Sequence, residues 1–230
     1  MTTINKTNFS ISKFHDFPVL FNNLQPMGTF FDLESSAWRK NERSFLLAQS
    51  LNSCTIDGVV CEFGVGKGIT ITQIANHFNT EVVYGFDSFI GLPEDWIISD
   101  SLSLPKDGGS PLTGILPEVP NNTSLVKGWY NETLPVWLNE NQSNIKFLHL
   151  DSDLYSSTLT VLNLCNSLIV PGTVIQFDEF YPWGDDMSDM FTKWQEWEYK
   201  ALKEWTETND REFEPLHRNN YFQCAIKITK

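Results

Sequence analysis

Residues 58–87 constrain the fold more than any other stretch of the chain. GVVCEF is a short apolar run that ends in Gly64, Gly66 and Gly68. ITITQIANHF then puts Ile71, Ile74, Ala75 and Phe78 at i, i+3, i+4 and i+7, one apolar face of a helix, and EVVYGFD is a second apolar run. Strand, glycine loop, helix and strand form a βαβ crossover, which is right-handed and places its two strands in parallel.

The same grammar continues downstream. SLVKG, NIKFLHLD and GTVIQFD read as strands, and between the last two Val161, Leu164, Cys165 and Leu168 mark another helix face that Pro171-Gly172 should end. Strands apolar on both sides belong to a parallel sheet covered by helices on both faces. Trp194, Trp197, Ala201, Leu202 and Trp205 recur at helical spacing, a core-facing stripe. EFEPLH and YFQCAIKIT, separated by Arg218-Asn219-Asn220, read as a hairpin, so an antiparallel end is expected on a mostly parallel sheet. Residues 1–50 are expected to form an N-terminal cap or lid with a helix over Ser44–Ser53, and residues 51–230 a single domain. Within it, residues 90–124, with five prolines and DGGSPLTG, read as a long lid loop.

Charge excludes some partners. With 16 Lys+Arg against 29 Asp+Glu the net charge is −13, and no basic stripe is present to hold nucleic-acid phosphates or an anionic membrane. The excess is uneven, with seven acids to one base over residues 81–120 and twelve to four over residues 178–214. Most of these are expected to form a solvated face. No apolar run approaches the ~20 residues of a membrane span, and MTTINKTNFSISKFHD lacks the apolar middle of a signal peptide, so a cytoplasmic protein is expected. Cys54, Cys61, Cys165 and Cys224 have no metal or redox spacing and read as buried thiols.

The loop Glu62-Phe63-Gly64-Val65-Gly66-Lys67-Gly68 fails as a phosphate loop, because Cys61 stands where the first glycine would be and Gly68 where Ser or Thr would be. It departs from the dinucleotide fingerprint too, since the third glycine place is Ile69. A G-x-G-x-G backbone lets a ligand approach without Cβ atoms, and Glu62 offers an acceptor to a cationic amino group. Asp87, at the end of the second strand, sits where a carboxylate takes ribose hydroxyls. An amino-acid-bearing ligand fits better than a pyrophosphate, and Asp87, which alone could equally cap a helix, is read beside the glycine loop as a ribose acceptor.

CEFGVGKG resembles motif I of the class I S-adenosylmethionine-dependent methyltransferases. Together with GFDSFIGLPEDW, KGWYNETLP, FLHLDSDLYSST and VIQFDEF, it looks like the macrocin-type sugar O-methyltransferase family over roughly residues 55–205. The resemblance implies an α/β fold: a doubly wound, Rossmann-like, mostly parallel seven-stranded sheet with an antiparallel C-terminal strand. It implies that Glu62, Phe63, Gly64, Gly66 and Gly68 surround the methionine part of the cofactor. Asp87 with Ser88 would hold the ribose, and Gly128 and Trp129 would border the adenine. It also implies Mg²⁺ on Asp151, Asp178 and Glu179, with Asp151 or His149 as general base. The family pattern has Asp where this chain has Glu179, and Asp153 is expected outside the metal, capping the next helix or supporting Asp151.

Clustered carboxylates are costly unless protonated or neutralised by a cation, and oxygen-only donors select a hard ion. The function expected is methyl transfer from S-adenosylmethionine to a hydroxyl of a sugar or glycosylated small molecule. The alternatives are an NAD-dependent oxidoreductase and a non-catalytic binding module of the same fold. The acceptor is a small molecule, and the resemblance allows a homodimer.

Overall fold

The computed structural model describes residues 36–106, 113–181 and 191–230, with side chains from Glu42 onward. Most of the expected N-terminal cap and the DGGSPL part of the loop therefore lie outside the described residues. No described helix is long and apolar enough to cross a membrane.

Helix α1 (Ser36–Asn52) leads into β1 (Val59–Phe63), α2 (Ile69–His77) and β2 (Val83–Asp87), the expected crossover. A small antiparallel hairpin, β3 (Trp96–Ile97) and β4 (Ser103–Leu104), follows within the proline-rich segment. Then come β5 (Thr123–Lys127), α3 (Tyr130–Glu140), β6 (Ile145–Leu150), α4 (Tyr155–Leu164), β7 (Ile169–Phe177), α5 (Glu198–Asn209), β8 (Phe213–Arg218) and β9 (Cys224–Ile228). Seven strands form one sheet in the order β5-β2-β1-β6-β7-β9-β8. All pairs from β5 to β7 are parallel, and β9 runs antiparallel to both β7 and β8.

Side-chain alternation sends successive residues of each strand to opposite faces. Cys61, Phe86, Leu148 and Ile175 pack with α3, α4 and α5, whereas Val60, Val83, Phe147 and Val174 pack with α1 and α2. Strand β6 is buried at all six positions because it has strands on both sides and helices on both faces. Adjacent β1 and β6 lead to opposite halves of the sheet. Their carboxyl ends open the crevice in which doubly wound sheets bind ligands.

Several local expectations are corrected. Helix α4 stops at Leu164, and Pro171-Gly172 lies inside β7, where the pairing with β6 jumps from Ile145↔Ile169 to Phe147↔Val174. The irregularity accommodates a proline that cannot donate to the ladder. Trp194 belongs to a short 3₁₀ turn, Trp194–Glu196, and α5 begins only at Glu198. The hairpin turn is Asn219–Gln223, so Arg218 is strand and Tyr221-Phe222-Gln223 is turn. The four cysteines are free, three buried and Cys54 half-buried.

Candidate functional site

The glycine loop is built by close contact between strand ends. Gly64, at φ 96°, lies so near the next strand that a Cβ there would stand 1.8 Å from the carbonyl oxygen of Asp151. The Asp151 N–H donates to Phe63 O at 2.9 Å, and the Gly64 N–H to Phe86 O at 3.0 Å, so three strand ends are laced together. Gly66, at φ 54°, has open space where a side chain would be. Its N–H donates to Asp87 Oδ2 at 2.8 Å, and the Phe89 N–H donates to Oδ1 at 2.7 Å. Asp87 is thus fixed by two backbone amides while each oxygen keeps a second lone pair.

These groups border a cavity of about 660 Å³, a size suited to a cofactor and a small ligand. Gly64, Gly66, Asp87, Ser88, Trp129 and Asp151 line it, as do Arg43 and Asp153. Glu62, Phe63, Gly68, Gly128, His149, Asp178 and Glu179 do not. Phe63 is fully buried, stacked on Phe86 at 4.6 Å between ring centroids, so only its backbone belongs to the loop. Gly128 supports the site through its N–H, which donates to Asp87 O at 2.9 Å.

Carboxylates converge beyond the ends of β6 and β7. Asp151, Asp153 and Glu179 each offer an oxygen, all within 4.8 Å of one another. Asp153 therefore joins this cluster and does not cap α4, whose N-cap is Leu154 with no side-chain cap. Its backbone is left-handed at φ 59°, a conformation Asp tolerates better than most residues. Asp178 is drawn aside: Arg43 Nη2 stands 2.6 Å from its Oδ2 and also contacts Asp151 Oδ2, and Gln223 donates to Asp178 at 3.4 Å. Burial and the neighbouring Asp178 push Asp151 up to about 6, against the pull of Arg43 and His149. Burial would raise Asp178 too, but Arg43 and His149 outweigh it and hold its carboxyl low. Asp153 and Glu179 are raised by burial and then by the carboxylates around them. Glu179 Oε2 is buried without a hydrogen-bond partner among the described residues, as suits a donor awaiting a cation.

His149 lies beneath the cluster. It pairs in register with Glu62 on β1, its Nδ1 is 2.9 Å from Glu62 Oε1, and its Nε2 is 3.4 Å from Asp178 Oδ1. Burial alone would lower its pKa, yet the two carboxylates raise it to about 10. Burial pushes Glu62 up to about 7, with His149 pulling the other way. His149 stands outside the cavity lining, held between Glu62 and Asp178, and these two carboxylates favour its protonated form.

Three functional features escape sequence reading. Arg43 comes from α1, more than a hundred residues from the carboxylates it meets. Glu198 is fully buried: its Oε1 accepts the Ser152 N–H at 3.4 Å and its Oε2 the Glu179 N–H at 3.1 Å, bracing both acidic loops. The signal was its place at i, i+4 and i+7 with Leu202 and Trp205, hidden inside an acidic block. Helix α3 was missed because Pro135 interrupts it, although Tyr130, Leu134, Trp137 and Leu138 do recur on one face.

No curated protein matches the sequence. Among solved structures, CalS11, titled a calicheamicin methyltransferase, is 20% identical with a TM-score of 0.60, over 84% of this chain and 80% of that one. The O-methyltransferase NovP is 17% identical with a TM-score of 0.55 over the same shares. MycE, a methyltransferase of the mycinamycin pathway solved with Mg and S-adenosylhomocysteine, is 14% identical with a TM-score of 0.50, over 87% of this chain and 51% of that one. At these identities the likeness is one of fold. A family model described as a methyltransferase domain matches residues 61–180, more than half of the chain, and the protein belongs to that methyltransferase family.

Proposed function

We propose that the protein transfers the methyl group of S-adenosylmethionine to a hydroxyl of a sugar or glycosylated small molecule, with Mg²⁺ assisting. The observation that carries this reading is one cavity lined both by a glycine loop pinned to Asp87 and by Asp151 and Asp153, which form an oxygen cluster with Glu179 behind them. CalS11, described as a TDP-rhamnose 3'-O-methyltransferase, and MycE, solved with Mg, support a sugar acceptor and a metal.

Gly64 and Gly66 keep Cβ atoms away from the methionine part of the cofactor, and Asp87 accepts hydrogen bonds from the ribose hydroxyls. Ser88 donates to Gly91 O at 2.7 Å and holds the turn beside Asp87. Trp129 offers a flat wall to the adenine. The all-oxygen cluster suits a hard dication, with Asp151, Asp153 and Glu179 as its holders and Asp178 adjacent. When bound, such an ion supplies positive charge that lowers the pKa of the acceptor hydroxyl. Asp151 lines the cavity and is the group placed to take the hydroxyl proton. The carboxylates also favour the cationic sulfonium, and confinement of both reactants lowers the entropic barrier.

Calorimetry with S-adenosylhomocysteine, with and without Mg²⁺, tests the cofactor. Saturable binding is expected, and its absence under both conditions would falsify the reading. Asp151→Asn should retain cofactor binding while turnover falls by roughly 10²–10⁴-fold, the usual worth of a positioned base. Unchanged turnover would remove Asp151 from the chemistry.

A further inference from the structure

A single nitrogen of Arg43, Nη2, contacts Asp151 Oδ2 and Asp178 Oδ2, occupying the gap between two carboxylates. Arg–carboxylate pairs that serve as permanent braces are commonly bidentate, with two parallel N–H···O bonds. Arg43 instead engages through one corner. Its Nε is buried with no partner among the described residues, and its side chain remains 37% exposed. This is the fit of a charge placed where charge is required.

The cluster needs such a charge. Asp151, Asp153 and Glu179 offer oxygens within 4.8 Å of one another and Asp178 shares the Arg43 nitrogen with Asp151, and like charges at this spacing are stable only with protonation or a cation. A dication held by Asp151 would compete with the guanidinium for that carboxylate, because the two positive charges repel at this spacing. We propose that Arg43 is a resident cation which neutralises Asp151 and Asp178 in the metal-free enzyme and is displaced from Asp151 when a divalent ion enters. The inference rests on the metal reading above.

Only the side chain has to move. Helix α1 is fixed on either side of Arg43: Leu46, Leu47 and Leu51 are buried in the core, and Glu42 accepts the Asn220 N–H at 3.3 Å. Metal loading and the Arg43–Asp151 contact therefore compete through a rotamer choice on a stationary helix. By linkage, the energy of the Arg43 contact is subtracted from the metal affinity.

The test pairs Mg²⁺ calorimetry with NMR of the arginine Nε–Hε signals, on the full chain. Arg43→Gln should bind Mg²⁺ about ten-fold more tightly than the native protein, within the usual range of couplings between sites. Arg43→Lys, which keeps the charge on a simpler head, should fall between them and guards against a folding defect in the Gln variant. In the native protein, the Nε–Hε signal absent from Arg43→Gln should move to a solvent-exposed position as Mg²⁺ saturates. A signal that stays in place at saturating Mg²⁺ overturns the inference whatever the affinities, and leaves the metal reading intact. If none of the three proteins binds Mg²⁺, the metal reading fails, and the inference with it.

Discussion

The Gly66 N–H donates to Asp87 Oδ2 at 2.8 Å, so the glycine loop after β1 and the carboxylate at the end of β2 are held as one unit. Asp87 acts twice: it shapes the loop, and it presents its remaining lone pairs to the cavity. Asp87→Asn keeps the size but replaces one acceptor oxygen with an NH₂ group that faces an N–H donor. Loss of a charge-assisted hydrogen bond costs about 1.5–3 kcal/mol, so the Kd for S-adenosylhomocysteine should rise by roughly ten- to one-hundred-fold. Calorimetry reads this directly, and a Kd within a factor of about two of the native value would show that Asp87 is dispensable to the loop.

Glu198 ties the backbones that follow β6 and β7, accepting from Ser152 and Glu179 with separate oxygens. Removing both acceptors in Glu198→Ala leaves two N–H groups unpaired and a void. The cost should be about 3 kcal/mol, which for a chain of this size lowers Tm by roughly 6–12 °C. Glu198→Gln keeps one acceptor and should lose less than half of that. Mg²⁺ affinity should fall in the same order, since the loops carrying Asp151, Asp153 and Glu179 are no longer locked. A Tm drop for the Ala variant with undiminished Mg²⁺ affinity would confine Glu198 to a packing role.

What the sequence disclosed follows from the range of the interactions involved. The crossover over residues 58–87 was legible because strand, turn and helix patterns are local, and Gly64 and Asp87 are fixed by the neighbouring strand ends. The site's support was not legible, because it comes from elements distant in the chain. Arg43 reaches Asp151 from α1, and Glu198 reaches Ser152 and Glu179 from α5. Nothing in the spacing of FLHLDSDLYSST distinguishes Asp153 in the cluster from Asp153 as a cap. The left-handed turn at φ 59° beyond the end of β6 accompanies its place beside Asp151 and Glu179, and Glu179 comes from the end of a different strand. Whether His149 faces the ligand or serves the framework was open in the sequence, and its contact with Glu62 is set by the pairing of β1 with β6, two strands far apart in the chain.

The His149 pair predicts a pH dependence with a definite sign. Its pKa is raised from the ordinary value near 6.5 to about 10, so the protonated form is favoured by folding. The stability it contributes is fully present below pH 6.5 and is lost as pH rises through 10. Thermal midpoints measured between pH 6 and 10.5 should therefore decline more steeply for the native protein than for His149→Gln, which has no proton to lose. Parallel curves would show that His149 is neutral in the folded state.

Trp197 links the α5 region to the β3–β4 hairpin that borders the cavity through Leu104. Its indole Nε1–H donates to Ile97 O at 3.0 Å, and its ring meets Trp96 edge-on at 5.0 Å. The hairpin has only two residues in each strand, too few to stand on its own hydrogen bonds, so its position depends on this docking. Trp197→Phe removes the hydrogen bond and keeps an aromatic contact, at a cost of about 1 kcal/mol. Amide exchange over residues 96–104 should quicken, while binding of S-adenosylhomocysteine, which rests on Gly66 and Asp87, should hold. If the hairpin forms part of the acceptor wall, the loss appears as a raised KM for the acceptor. A fall in cofactor affinity with unchanged exchange at the hairpin would instead place the influence of Trp197 at the neighbouring Glu198 brace.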